Sequence, residues 1–196
     1  MDEATCAPHT CCCCGTREGN TMTMWRCRPG SRTWPFVCNI GPDWPCNVCT
    51  WFLVLAPPLA LIIASWGHVA LWIPISLALM TVATLLLLAW ADFSDPFAPQ
   101  QTPSELARQR AELAEAGYDA HTLSTCAHCS IVRELDTKHC YACDRCVHGI
   151  DHHCPWHGKC IGSVNLLPFY GFLWAVCGLI IVFVIAIFVW FTSPMF

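Results

Sequence analysis

The sequence predicts an α-helical integral membrane protein with three spans and a small cysteine- and histidine-rich domain between the second span and the third. Three observations carry this prediction. From Trp44 to Ala91 the chain holds no Asp, Glu, Lys or Arg; at about 20 residues per span, that is room for two helices and a short turn. A second uncharged stretch starts after Lys159 and runs to Phe196. Between the two lies a regularly spaced series of Cys and His, from Cys126 to Cys160. Composition agrees: 12% charged residues and a mean hydropathy of +0.46 are too apolar for an ordinary soluble domain. A formal net charge of −4, with no dense Lys/Arg run, argues against nucleic acid as a partner.

The elements follow in order. Residues 1–43 read as an irregular tail. Its Cys11–Cys14 run cannot fill one tetrahedral metal site, because adjacent cysteines cannot all reach one ion; S-acylation beside a membrane and an unmodified tail both remain open. Residues 44–91 are read as two spans, near Val48–Trp66 and Leu71–Trp90, with the turn at Gly67-His68. Pro57-Pro58 is expected to kink the first span or cut it short. Residues 92–125 form a linker, in which Thr102-Pro103-Ser104-Glu105 is a capping box with proline at the first helical position. It predicts a short solvated helix from Pro103 to Ala116, closed by Gly117. Residues 126–165 hold the cysteine-rich domain. In residues 166–196, Phe169 to Phe191 is long enough to span, with Tyr170, Trp174 and Trp190 suited to the interfaces.

Charge sets the orientation. Six Lys/Arg lie between Asp92 and Cys160 and four in the tail, with none in the turn near Gly67 or at the C-terminus. By the positive-inside rule the tail and the central domain are cytosolic.

The cysteine-rich domain can be read residue by residue. With Cys154 set aside, Cys126, Cys129, His139, Cys140, Cys143, Cys146, His153 and Cys160 supply eight ligands. Eight is the number that two closed tetrahedral zinc sites require, and closed sites are structural. Spacing alone allows the two sites to be sequential or interleaved. Seventeen cysteines could instead form disulfides. The Cys-x2-Cys spacing with interleaved histidines, and the lack of an N-terminal signal peptide, favour metal thiolates in a reducing compartment. Cys154 follows His152 by two residues and Asp151 by three, the group order of an activated thiol nucleophile. In an extended stretch, residues two apart share a face, so His152 lies on the side of Cys154 and His153 points away, toward metal.

These residues resemble the cysteine-rich domain of the Asp-His-His-Cys (DHHC) protein S-acyltransferases, or palmitoyltransferases. The likeness runs from Cys126-x2-Cys129 through His139-Cys140-x2-Cys143-x2-Cys146 and Asp151-His152-His153-Cys154-Pro155-Trp156 to Cys160-Ile161-Gly162-x2-Asn165 and Phe169. Ser94-Asp95-Pro96-Phe97 is similar to the family's Asp-Pro-Gly motif, with Phe97 replacing glycine. The resemblance implies interleaved zinc sites: Cys126, Cys129, His139 and Cys146 for one, Cys140, Cys143, His153 and Cys160 for the other. It implies that Cys154 takes a fatty acyl group, typically palmitoyl, from acyl-CoA and passes it to cysteine thiols of membrane-proximal proteins. His152 would move the proton and Asp151 would orient His152. Trp156, Phe169 and Phe172 would line the mouth of an intramembrane acyl groove. Arg133, with Lys138, Arg145 and Lys159, would be the cations available to CoA phosphates. The implied setting is a eukaryotic endomembrane (Golgi or endoplasmic reticulum) or the plasma membrane, with the catalytic loop cytosolic. His128, His148 and His157 fall outside the ligand set and are expected at the surface or hydrogen-bonded. Asn165 is expected to hydrogen-bond backbone near the site.

The likeness also has gaps. Arg133 is followed by Glu134, Leu135 and Asp136, where the family has Arg-Pro-x-Arg, and Lys159 stands where it has asparagine. The family has four spans and a cytosolic tail bearing Thr-Thr-x-Glu, and this sequence ends after its third span. Two readings therefore stay open: an acyltransferase, whole or as a fragment, and a catalytically silent zinc-bearing membrane adaptor.

Overall fold

A computed structural model describes residues 15–26, 32–117, 125–133 and 136–193. The Cys11–Cys14 run lies outside the described residues. Three helices are long and apolar enough to cross a membrane: α1 (Trp44–Ser65), α2 (Trp72–Phe93) and α4 (Leu166–Thr192). They pack around Val54, Leu61, Ile73, Leu77, Leu88, Phe172, Leu179 and Ala186. Large apolar side chains such as Phe52, Ile63, Leu79, Trp174 and Phe188 point outward, as lipid-facing positions require. Helix α2 sits between the other two, and α4 approaches it closely at Gly178. A Cβ there would come within 2.8 Å of the Met80 Cε.

Helix α1 runs unbroken through Pro57 and Pro58. The expected shortening does not occur, because each proline removes one backbone donor without ending the helix, and packing against α2 and α4 holds it. Helix α3 (Pro103–Glu115) starts with the predicted capping box: the Thr102 side chain accepts from the Glu105 N–H, and the Glu105 carboxylate accepts from the Thr102 N–H. None of its described residues is buried.

The tail departs from expectation. Residues 16–40 contain a three-stranded antiparallel sheet of β1 (Thr16–Glu18), β2 (Thr21–Arg26) and β3 (Val37–Ile40). A two-residue Gly19-Asn20 turn joins the first two strands, with Gly19 at φ +56°, a geometry that favours glycine. Thr21 and Thr23 face inward while Met22 faces out, a strand alternation. Arg145 of the cysteine-rich domain reaches across to Glu18 (2.6 Å) and Thr21 (3.1 Å).

The cysteine-rich domain is two short hairpins, β4 (Lys138–Cys140) with β5 (Arg145–Val147), and β6 (His152–Cys154) with β7 (Lys159–Ile161). It meets the bundle at the start of α1, the end of α2 and the start of α4. Asp43 N–H donates to Gly158 O (3.2 Å), and Asn165 Nδ2 donates to Cys160 O (3.1 Å) and Ala91 O (3.4 Å). The tail sheet and this domain thus share one end of the bundle, which fits the charge pattern. Phe97 is buried against Cys140, Cys143, Val147 and Cys160 and carries the Arg145 guanidinium over its ring at 4.5 Å. A side chain there fills this small core, where glycine would leave it open.

Candidate active site and paired metal centres

Two groups of four ligand atoms come together. Cys126, Cys129, His139 and Cys146 form one, Cys140, Cys143, His153 and Cys160 the other, each set mutually within 4.8 Å. The arrangement is interleaved. Tetrahedral zinc, with bonds of about 2.3 Å to sulfur and 2.0–2.1 Å to nitrogen, sets sulfur–nitrogen edges of roughly 3.5 Å. In the second cluster His153 Nδ1 lies 3.6, 3.4 and 3.5 Å from the sulfurs of Cys140, Cys143 and Cys160. In the first, His139 Nδ1 lies 3.6, 3.3 and 4.0 Å from those of Cys126, Cys129 and Cys146. Donor type and spacing both fit a Cys3His zinc site. Electrostatics agree, since thiols gathered without a cation resist ionising together. Within each set the thiols divide: hydrogen bonding with Cys140 pushes the Cys143 thiol up to about 12 and burial raises Cys146, while Cys140, stabilised by the Cys143 thiol, and Cys126 are lowered. Without a cation each set therefore ionises only in part. A bound dication reverses this and releases protons, so metal affinity should rise with pH.

The clusters differ in what supports their histidines. His153 Nε2 lies 2.7 Å from the Asp43 carboxylate at the start of α1. Asp43 makes no side-chain cap to its own helix, so its carboxylate serves the ligand instead. A carboxylate behind a metal-bound imidazole fixes the tautomer and raises its basicity. His139 Nε2 is buried without a hydrogen-bond partner, and Asp144 lies 3.6 Å away. Asp43→Ala is therefore expected to weaken metal retention at the second cluster about 10–100-fold, read by stepwise chelation, with the first cluster unaffected.

The thiol left over, Cys154, is buried beside Ile161 and Phe169. It ends β6 and precedes a 3-10 turn, Pro155–His157, closed by Gly158 at φ +72°. Thr50 Oγ1 (2.8 Å) and Asn47 Nδ2 (3.1 Å) of α1 donate to the Trp156 carbonyl and hold that turn. Burial raises the Cys154 thiol above the usual cysteine range. The backbone N–H groups of His157 and Trp156 act against the rise, and the Asp92 charge adds to it.

His152 Nδ1 lies 3.0 Å from Asp151 Oδ2, with both side chains about half in solvent. The ring meets Phe169 edge-on at 5.3 Å. His153 turns to the metal cluster, as strand alternation requires. Below Cys154 opens a cavity of about 550 Å³ between α1 and α4, inside the roughly 300–1,000 Å³ of small-molecule sites. Its walls are apolar: Leu53, Val54, Pro57 and Pro58 on one side, Phe169 to Phe183 on the other. Trp156, Phe169 and Phe172, singled out from the sequence, all line it.

The cations fare differently. Arg145 is buried, engaged with Glu18, Thr21 and Ala98 O. Lys159 is fully buried and donates to Asn39 O (2.7 Å) and to Ser94 O. Burial lowers its ammonium to about 8, against the pull of Asp95 and Asp92. Neither can meet a phosphate in solvent, which corrects the sequence expectation and leaves Arg133 and Lys138. Arg133 is half-buried, with a long contact to Thr125 O at 3.5 Å. Sequence reasoning missed Asp43 and Asp92. Only their places at the ends of uncharged stretches could have flagged them.

Geometry and fold define an integral membrane protein whose paired metal-binding domain presents a thiol to an apolar cavity. Residues 119–195 match the family model for the DHHC palmitoyltransferases. The chain is 37% identical over 130 residues to palmitoyltransferase Hip14 of Drosophila melanogaster, covering 60% of this chain and 20% of that protein. It is 30% identical over 145 residues to palmitoyltransferase ZDHHC18 of Rattus norvegicus, covering 63% of this chain and 38% of that protein. With ZDHHC18-A of Danio rerio the figures are 29% over 123 residues, 54% and 26%. The chain thus spans between about a fifth and two fifths of these relatives.

Proposed function

We propose that the protein is an S-acyltransferase that moves a fatty acyl group, typically palmitoyl, from acyl-CoA to cysteine thiols of membrane-proximal proteins. One observation carries the reading: Cys154 lines an apolar cavity, and the residues just before it, His152 and Asp151, pair with each other partly in solvent. Each methylene buried in such a cavity contributes about 0.8 kcal/mol, so a long acyl tail has a strong reason to lie there.

The residues divide the work. His152 Nε2 takes the Cys154 proton, while Asp151 holds His152 Nδ1–H and balances the charge that develops. The Cys154 sulfur attacks the thioester carbonyl carbon, the carbon–sulfur bond to CoA breaks, and CoA thiolate leaves with the proton from His152. An incoming cysteine thiol gives its proton to His152, attacks the Cys154 thioester and expels the Cys154 sulfur, which takes that proton back from His152. One thioester replaces another, so no further energy source is needed. Zinc, held by the two Cys3His clusters, would be structural, since each set of four closes its site. Arg133 and Lys138 are the cations left for the CoA phosphates. The catalytically silent adaptor is the second reading, favoured by no observation at the site itself.

The test is coupled turnover. Purified protein given palmitoyl-CoA and a cysteine peptide tethered to the same micelle should release one CoA per peptide acylated. CoA release equal to that of detergent micelles alone would remove the reading. Orientation has its own check: protease added outside sealed endomembrane vesicles should cut within residues 100–160, and full protection would place the domain on the luminal side.

A further inference from the structure

A second histidine–carboxylate pair lies at the cavity wall, where His157 lines the cavity and is bonded to Asp92. His157 Nδ1 lies 2.5 Å from Asp92 Oδ1, with the two side chains 1% and 2% exposed. The other Asp92 oxygen accepts from Asn47 Nδ2 at 2.6 Å and Trp51 Nε1 at 2.9 Å. Asp92 therefore ties the end of α2 to α1 and to the turn that follows Cys154. Phe169 and Phe172 meet the His157 ring edge-on, each at 5.2 Å, and set its plane.

His157 lines the cavity together with Cys154, and its Nε2 has no hydrogen-bond partner among the described residues. With Nδ1 turned to Asp92, Nε2 lies on the opposite edge of the ring. The rest of the wall is apolar except for Thr50, whose hydroxyl is already given to backbone carbonyls, and the indole N–H of Trp156. The one polar atom an acyl group brings to this place is its carbonyl oxygen.

We propose that His157 is a further catalytic residue, whose ring gives Nδ1–H to the Asp92 carboxylate and, carrying a second proton at Nε2, donates Nε2–H to the carbonyl oxygen of the acyl thioester on Cys154, and that Asp92 is its positioning residue and counter-charge. This rests on the acyltransferase reading above. When an incoming thiolate bonds to the carbonyl carbon, the C=O π pair moves onto oxygen. His157 stabilises that oxyanion, with Asp92 as counter-charge. The pair returns to re-form C=O as the Cys154 sulfur leaves. The same donor serves the earlier attack of Cys154 on acyl-CoA. Protons then move at the exposed His152, and charge on oxygen is met at the buried His157. A donor aimed at a developing oxyanion in a water-excluded site acts without reorganisation.

The carbonyl stretch of the acyl-enzyme reads the contact directly. Wild type acylated with [1-13C]palmitoyl-CoA should show its isotope-edited thioester band at lower wavenumber than the same thioester dissolved in alkane. His157→Leu should lose the downshift and slow acylation by about 10²–10³-fold. His157→Gln, whose amide can still donate, should recover part of both. Metal content serves as the folding control. A wild-type band at the alkane position overturns the proposal, even if neither variant folds. So does a downshift that survives in folded His157→Leu. A protein that never takes the acyl group refutes the acyltransferase reading first, and the role of His157 falls with it.

Discussion

Cys143→Ser should leave the domain between α2 and α4 unfolded and holding at most one metal ion. Cys143 is fully buried and lies at the centre of a small core with Phe97, Cys140, Val147 and Cys160. Its neighbours in sequence also bond the tail sheet, since Asn20 N–H donates to the Cys143 carbonyl at 2.9 Å and Asn20 Nδ2 to that of Ala142 at 3.0 Å. So little apolar burial cannot fold this domain alone, and metal binding in such sites is worth about 10–16 kcal/mol. The loss therefore spreads to the tail sheet and to the turn that carries Cys154. Metal analysis by mass should fall from two ions per chain to one or none, with trypsin cutting within the domain. Two ions and an intact domain would contradict this account of what holds the domain together.

His152→Ala should leave both ions in place and slow acylation of Cys154 by about 10²–10⁴-fold, the usual contribution of a positioned acid–base group. His153→Ala should do the reverse, releasing one ion before any chemistry can be read. The contrast follows from β6, a strand in which neighbours face opposite ways. His152 turns to Asp151 and Phe169, His153 to the cluster and Asp43. Acylation rates by intact mass, paired with metal content, check both variants. An His152→Ala protein stripped of zinc would mean that the faces are exchanged.

Much of this was legible in the sequence, for separable reasons. Uncharged length marks a span without help from tertiary structure, so α1, α2 and α4 could be read directly and their ends placed within a few residues. The α3 cap was equally local, with Thr102 and Glu105 meeting inside one turn. Cys-x2-Cys spacing reads out ligands, because two cysteines so placed can reach one ion. The tail sheet was missed although the Gly19-Asn20 turn and the Thr21-Met22-Thr23 alternation both pointed to it. Its strands are short, and β2 meets β3 with an irregular register near Trp25. Long-range polar contacts were invisible. Nothing local says that Asp43 reaches His153, that Asp92 reaches His157, or that Lys159 turns inward to Asn39 and Ser94. Charge counting placed Arg145 and Lys159 at the surface, when both are fasteners between the tail, the cysteine-rich domain and the end of α2.

The most direct measurement is the mass of the purified protein after incubation with palmitoyl-CoA. The account predicts one hydroxylamine-sensitive palmitoyl adduct, mapped to Cys154 by peptide sequencing, absent from Cys154→Ser while that variant keeps both metal ions. A wild-type chain that holds its metal and gains no adduct, or gains it equally in Cys154→Ser, would contradict the account.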